Sequence, residues 1–483
     1  MAGMLHWADS LARLSAIARS GPVARVAEVF AAAGHELSLV GGPVRDALLG
    51  RAVTDLDLTT DATPEQTLAL LKPIADAHWD IGRAFGTIGA RIGGETVEIT
   101  TYRADSYDGV TRKPEVVFGE SLEADLGRRD FTVNALALRL PGLELVDPSG
   151  GVEDLTAGRL RTPAAADLSF GDDPLRMMRA ARFVAQLGFS VDDDVREGMA
   201  ALAGTLERVS AERIRDELVK LLVTDAPRAG LELFVDTGLA EYVLPELPAL
   251  KLTRDAQHRH KDVYLHSLTV LDQAIELERD RAEADAEPDL VVRLAALLHD
   301  IGKPATRRFE SGGVVTFHHH DVVGAKLVAK RLKALRFDKD TIAAVAELVA
   351  LHQRFFGYTD SVWTDSAVRR YVRDAGPLLS RLHILVRADV TTRNTTKADR
   401  LQHAYDDLEA RIADLESREQ LEAVRPELDG ARIMTLLGVR PGPVVGEAYR
   451  FLLETRLDEG PLGEDEAEKR LLAWWAARDQ PTA

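Results

Sequence analysis

The sequence predicts an α+β N-terminal region, a mixed sheet with helices, followed by all-α regions to the C-terminus. Two observations carry this. Residues 1–160 alternate short β-type runs with helical stretches, and glycines sit at the junctions. From about residue 165 the β-type runs stop and helical periodicity continues. The length of 483 residues corresponds to three or four domains, and changes of texture divide the chain at 1–160, 161–254, 255–400 and 401–483.

In the first region the β-type runs are Leu37–Val40, Leu56–Thr59 and Val97–Tyr102, with glycines at Gly41-Gly42, Gly86, Gly89 and Gly93-Gly94. Pro141-Gly142 and residues 148–151 read as turns around a short strand, Leu143–Val146. In the second region, Asp173–Leu187 reads as one amphipathic helix, with Pro174 in its first turn and Gly188 past its end. Ser210 is the N-cap of a helix running to Leu222. Histidines become frequent in the third region, and Glu276–Glu287 reads as a solvated helix end or loop. The fourth is helical and broken near Pro441-Gly442-Pro443.

Composition excludes several classes. Hydrophobic residues make up 46% and charged residues 29%, so the chain folds. With no cysteine there is no disulfide scaffold, no zinc finger and no thiol nucleophile, which fits a reducing cytoplasm. The N-terminus has no basic start followed by an apolar stretch, so no secretory leader is expected. The most apolar run, Leu290–Leu298, contains Arg293 and is about half a membrane span. The formal charge of −18 argues against nucleic acid on average, but a local arginine cluster matters more than the average.

Residues 37–61 carry the first concentration of chemistry. A strand ends in Gly41-Gly42 and a helix follows at once. Gly42 lets backbone N–H groups approach an anion, and the helix N-terminus favours negative charge. Arg45, one turn in, can grip a phosphate oxygen. Asp55 and Asp57 are two apart on a strand and share a face, with Leu56 and Leu58 turned to the core. Two such carboxylates repel unless a cation lies between them, and hard oxygen donors suit Mg²⁺ bridging substrate phosphates. Alone, a Gly-Gly is a turn and an Asp-x-Asp a solvated face; here they fall within 20 residues of each other. Glu98, on a later alternating run, is either a third carboxylate at the metal or an exposed strand residue.

With the segments LVGGPVRDALLGR and DLDLTT, RRDFTVNALA at 128–137, DDPLRMMRAARF at 172–183 and ERIRDEL at 212–218, the sequence resembles the bacterial class II tRNA nucleotidyltransferases. These belong to the polymerase-β-like superfamily and include CCA-adding enzymes and poly(A) polymerases. The resemblance implies a nucleotidyltransferase head followed by a helical neck. It implies catalysis by Asp55, Asp57 and Glu98 with Mg²⁺ on the aspartates, and nucleotide contacts from Gly42, Arg45, Arg129 and Asp130. It also assigns base reading to Asp173 and Arg176, with Arg179 and Arg182 continuing the same helical row. Chemically, a carboxylate accepts from the exocyclic amine of cytosine or adenine, whereas uracil and guanine present a carbonyl there. The implied partners are tRNA, CTP and ATP, with no membrane; oligomeric state is left open.

Three outcomes compete: addition of C, C and A, addition of C alone or of A alone, and poly(A) synthesis. Gly82-Arg83-Ala84-Phe85-Gly86-Thr87 differs from the Gly-Arg-Arg-Phe type of the poly(A) polymerases. Asp108–Pro114 resembles the flexible loop of CCA- and A-adding members, with one extra residue. CCA addition is therefore the expected activity.

The third region holds His258, His260, His266, His299-Asp300, His318-His319-His320, His352 and Asp389. His-Asp ending an apolar helix, with further His before and Asp after, resembles the HD metal-dependent phosphohydrolases. The ligands implied for a divalent transition metal are His266, His299, Asp300 and Asp389, with His320 and His352 for a second ion or a phosphate. His318 and His319 are expected to face solvent, and Lys303 to meet a phosphate or cap a helix. A reading from another class makes this domain the main activity and the head a non-catalytic RNA binder. From residue 401 onward, 18 acids against 10 bases make a poor RNA platform.

Overall fold

The computed structural model describes residues 7–80, 82, 86–103, 121–251, 262–281, 286–311, 315–355, 358, 363–391, 395–419 and 425–478. Asp108–Pro114, His258, His260 and Arg83–Phe85 lie outside these. The chain divides into two compact units, 1–245 and 246–483.

The first unit begins with helices α1 (Trp7–Ala18) and α2 (Gly21–Ala32). Strand β1 (Leu37–Val40), helix α3 (Gly42–Leu49), strand β2 (Leu56–Thr60) and helix α4 (Pro64–Leu71) follow. Strands β3 (Ala77–Trp79), β4 (Thr87–Ile92) and β5 (Glu95–Thr101), helix α5 (Leu122–Gly127), and strands β6 (Ala137–Leu140) and β7 (Glu144–Val146) complete the sheet. Its order is β3-β4-β5-β2-β1-β6-β7, with β2 and β5 parallel and the other neighbours antiparallel. The central strand β1 is buried along its whole length. On β2, Leu56 and Leu58 point inward and Asp57 is half-buried, as period-2 alternation requires. Asp55 lies one residue before the strand.

The unit continues with α6 (Gly151–Ala157), β8 (Arg159–Leu160), α7 (Ala166–Asp172), α8 (Leu175–Leu187), β9 (Ser190–Val191), α9 (Asp193–Leu202), α10 (Ala211–Leu222), α11 (Arg228–Asp236) and α12 (Leu239–Val243). Ser210 caps α10 by accepting from the Arg213 N–H. The single helix expected over Asp173–Leu187 is present with its Gly188 end, but it starts two residues later, at Leu175, and Asp173 lies outside it. Asp173 has φ −138° and ψ 98°, an extended break between α7 and α8, and Pro174 restricts the residue before it to such conformations.

In the second unit the helices are α13 (Val263–Arg281), α14 (Leu290–Leu298), α15 (Lys303–Thr306), α16 (His320–Ala334), α17 (Lys339–Leu351), α18 (Asp365–Ala375), α19 (Leu379–Ala388), α20 (Thr395–Glu419), α21 (Gly430–Leu437), α22 (Pro443–Glu459) and α23 (Glu464–Arg478). A hairpin of β10 (Arg308–Phe309) and β11 (Val315–Thr316) separates α15 from α16. Past residue 165, the described strands are two-residue pieces, too short for sequence periodicity to show. The last three helices share a small core built on Leu428, Ile433, Leu452 and Leu471.

Candidate functional sites

In the first unit, β1 ends at Gly41, whose φ of +76° suits glycine. A Cβ there would lie 3.1 Å from Nη1 of Arg129, so the turn also lets that guanidinium approach. On the neighbouring strands, Asp57 of β2 stands in register with Glu98 of β5. Burial pushes the Asp57 carboxyl up to about 6, Glu98 and Asp55 push the same way, and Arg129 opposes them. Asp57 at the start of β2, Asp55 just before it and Glu98 opposite it in β5 thus repel one another. The oxygen donors and this unresolved repulsion fit a divalent cation, although the three do not gather their oxygens as tightly as the ligand-type side chains of the second unit. Below about pH 6 Asp57 is neutral, and a cation would be held more weakly.

A cavity of about 360 Å³ adjoins Asp57. Its charged lining is Arg103, Arg128, Arg129, Arg176, Arg179 and Arg213 against Asp57, Asp130 and Asp173. Asp125, fully buried on α5, organises one side: it accepts from Arg128 at 2.7 Å, from Arg129 at 3.0 Å and from the Arg103 N–H. Asp130 organises the other, taking the Phe131 N–H, the Asn134 amide and Arg179. Despite burial, Arg179 and these hydrogen bonds hold its carboxyl well below the usual carboxylate range.

The structure separates the expected nucleotide contacts into two sets. Asp130, Arg129, Asp173, Arg176 and Arg179 line the cavity; Gly42, Arg45 and Arg182 are not among its lining residues. Arg45 is buried, bonding Asp46 through Nε and Nη2 and Asn134 through Nη1 at 2.7 Å. Arg182 donates to Glu217 at 2.7 Å and lies 4.3 Å over the Phe183 ring. Asp173 and Arg176 reach the cavity without sharing a helical row. Asp173 takes the Leu175 N–H and Arg213, while Arg176 donates to Ser169 and to the Arg128 carbonyl. Sequence reasoning missed Asp125, Arg128 and Arg213. An acid three and four residues before the Arg-Arg pair is a readable signal for the first two; Arg213 carries none.

Arg179→Met should destabilise the first unit by about 2–3 kcal/mol, because it strands the buried Asp130 carboxylate. The Asp130 pKa lies below its unfolded value, so the pair stabilises the fold at neutral pH and this contribution fades on acidification. The mutant's deficit in urea unfolding should therefore shrink towards low pH. Equal deficits at neutral and acidic pH would contradict this.

In the second unit, ligand-type side chains meet at helix ends. His299 and Asp300 follow α14, His320 opens α16, His352 follows α17, Asp389 follows α19, and His266 lies in the first turns of α13. His299, His320 and His352 each turn Nδ1 to the carbonyl three residues back, at 2.9, 2.8 and 2.6 Å. A carbonyl only accepts, so Nδ1 carries a proton in each, and in the neutral ring Nε2 keeps its lone pair facing the centre. Two groups result: His266, His299 and Asp389, and Asp300, His320 and His352, each with ligand atoms within 4.8 Å of one another. Asp300 faces both, Oδ2 lying 3.3 Å from His299 and Oδ1 3.3 Å from His320. Oδ1 of Asp300 is buried yet lacks a hydrogen bond of good geometry. Imidazole and carboxylate donors with this orphaned oxygen fit one or two divalent transition ions.

Burial and the neighbouring His299 push His352 down to about 4, so it is neutral at pH 7. Burial opposes protonation of His299, but Asp300 and Asp389 outweigh it and raise its pKa. Gly302 is required by packing, since a Cβ there would fall 2.0 Å from the His320 carbonyl oxygen. Lys303 bonds Asp300 at 2.6 Å. His318 and His319 are exposed, as expected, and line the mouth of the adjoining cavity.

Comparison with known proteins agrees with this arrangement. Residues 37–161 match the poly A polymerase head domain, 188–250 the probable RNA and SrmB-binding site of polymerase A, and 263–394 the HD domain. The chain is 35% identical over 450 residues to the A-adding tRNA nucleotidyltransferase of Deinococcus radiodurans, covering 91% of this chain and 95% of that one. It is 42% identical over 218 residues to the CCA-adding enzyme of Latilactobacillus sakei, a match spanning 45% of this chain and about half (54%) of that protein. In fold it is similar to the Bacillus stearothermophilus CCA-adding enzyme in complex with CTP, with a TM-score of 0.62, 24% identity, and coverage of 95% and 99% of the two chains. A poly(A)-polymerase-type head, its RNA-binding segment and an HD domain in one chain, matched nearly end to end by a tRNA nucleotidyltransferase, show that the chain belongs to the tRNA nucleotidyltransferase family.

Proposed function

We propose that the chain adds C, C and A to the 3′ end of tRNA, without a template, from CTP and ATP, releasing pyrophosphate. The observation that carries this is one cavity holding Asp57, six arginines and Asp173. Asp55, Asp57 and Glu98 would hold a divalent cation, proposed as Mg²⁺. When bound, it acidifies the attacking 3′-hydroxyl and neutralises the departing pyrophosphate.

The remaining steps belong to the protein. Arg128 and Arg129, braced by Asp125, hold the triphosphate together with Arg103. Asp130, kept ionised, fixes Arg179 at the cavity wall. Asp173 accepts from the exocyclic amine of cytosine or adenine with the lone pairs left free by Arg213 and the Leu175 N–H. Arg176, its plane locked by Ser169 and the Arg128 carbonyl, donates to the base edge. Residues 1–160 would house transfer, 161–254 base and RNA recognition, 255–400 a metal-dependent phosphohydrolase, and 401–483 an acidic helical region without an assigned role. No helix among the described residues is long and apolar enough to cross a membrane; we place the protein in the cytoplasm with its substrates.

Asp173→Ala should relax discrimination against UTP about ten- to a hundred-fold, the worth of one charged contact. The measurement is kcat/KM for CTP and UTP on tRNA lacking its CCA end. Absence of CMP transfer by the wild type would sink the reading. An unchanged CTP/UTP ratio would place base selection elsewhere. A second reading, addition of A alone, is favoured by the Deinococcus relative matched along nearly the whole chain.

A further inference from the structure

We propose that the β10–β11 hairpin is a stacking platform that delivers a single-stranded RNA end to the histidine–aspartate centre. Hydrolysis of the delivered end rests on the phosphohydrolase reading of that centre; binding of the RNA does not.

The starting observation is Phe309. Among the exposed large hydrophobic side chains of the described residues it is the most exposed, at 68%. A lone exposed aromatic needs no explanation, but three further facts set this one apart. The Arg307 guanidinium lies 4.8 Å from the ring centroid. A ring backed by a cation on one side and still this exposed offers a face to another flat group. Across the hairpin, Phe309 is registered with Val315 and Arg308 with Thr316. Val315 and Thr316 both line the cavity that contains His266, His320 and Asp389. The platform is therefore one strand away from the wall of the metal-type centre.

Charge selects the occupant. The chain carries a net −18, yet Lys303 lines this mouth together with the imidazoles of His318 and His319, and Arg308, next to Arg307, stands across the hairpin from Thr316 of its wall. Opposing them are Glu310, which accepts from Thr316, and Asp321 on the rim. Arg307, Arg308 and Lys303 beside an exposed aromatic match the stacking and backbone contacts of single-stranded nucleic acid. A cavity of about 780 Å³ gives a terminal nucleotide room to enter. An acidic peptide would be served by the cations but not by the open ring. An RNA end uses both: a base stacks on Phe309, phosphates meet Arg308 and Lys303, and the terminal phosphate faces the histidines.

The test is photocrosslinking of the full chain with a short single-stranded RNA carrying 5-iodouridine near its 3′ end, with the adduct located by peptide mapping. The expected result is an adduct on the peptide containing Phe309. It should be lost in Phe309→Ala, retained in Phe309→Trp, and weakened in Arg308→Glu, with an affinity loss of about tenfold for the stack. Adducts confined to the first unit would overturn the proposal, as would a Phe309→Ala pattern identical to wild type. Hydrolysis of bis-p-nitrophenyl phosphate with added Mn²⁺, measured in parallel, bears on the phosphohydrolase reading alone. Failure there with the Phe309 adduct present would leave the platform standing.

Discussion

Asp57→Ala is expected to abolish nucleotide transfer while leaving the fold intact. Removing a carboxylate that would bridge the cation to the triphosphate should cost about 4 kcal/mol of transition-state stabilisation, roughly three orders of magnitude in rate. Stability should not fall, because among the described residues Asp57 forms no ion pair, and burial with its neighbouring acids outweighs the attraction of Arg129. Burial and two neighbouring acids already oppose its charge and raise it to about 6. The pairing of lost activity with an undiminished melting temperature separates a reactive carboxylate from a structural one. Near-wild-type incorporation of labelled CMP by this variant would contradict the assignment.

Asp300→Asn should remove metal-dependent phosphoesterase activity at the second centre by more than about a hundred-fold, with nucleotide transfer unchanged. Asp300 is the residue whose two oxygens face both ligand groups, and it is buried between His299, His320 and Lys303. Asparagine keeps the shape while removing the charge. The check is bis-p-nitrophenyl phosphate hydrolysis alongside CMP incorporation, with folding verified by circular dichroism. Parallel loss of both activities in a folded protein would mean that the two centres do not work separately.

Much of both centres was legible because their chemistry demands particular residues at particular places in the chain. Gly41 ends a strand where a side chain would be strained, and Asp57 must alternate with Leu56 and Leu58. His299, His320, His352 and Asp389 sit at helix ends, where apolar periodicity stops and a polar residue stands out. The destinations of long arginine side chains were not legible. Arg45 read as a phosphate ligand and Arg182 as continuing the base-reading row, but they are engaged by Asn134 and Glu217, partners 89 and 35 residues away. Arg213 reaches the cavity from a different helix. The start of α8 was legible only to within two residues, because acidic residues and a proline ahead of a helix mark its cap without fixing the first helical position. The four-region division was read from texture, whereas compactness joins the regions into two units.

The central claim is that one centre adds both C and A in order. The direct measurement is mass spectrometry of tRNA 3′ ends after incubation of the wild-type chain with CTP and ATP, starting from tRNA ending at the discriminator base. The expected product carries C, C and A and then stops. A chain that leaves this tRNA unextended, and adds A only to tRNA already ending in two C residues, would contradict the account and make this protein an A-adding enzyme.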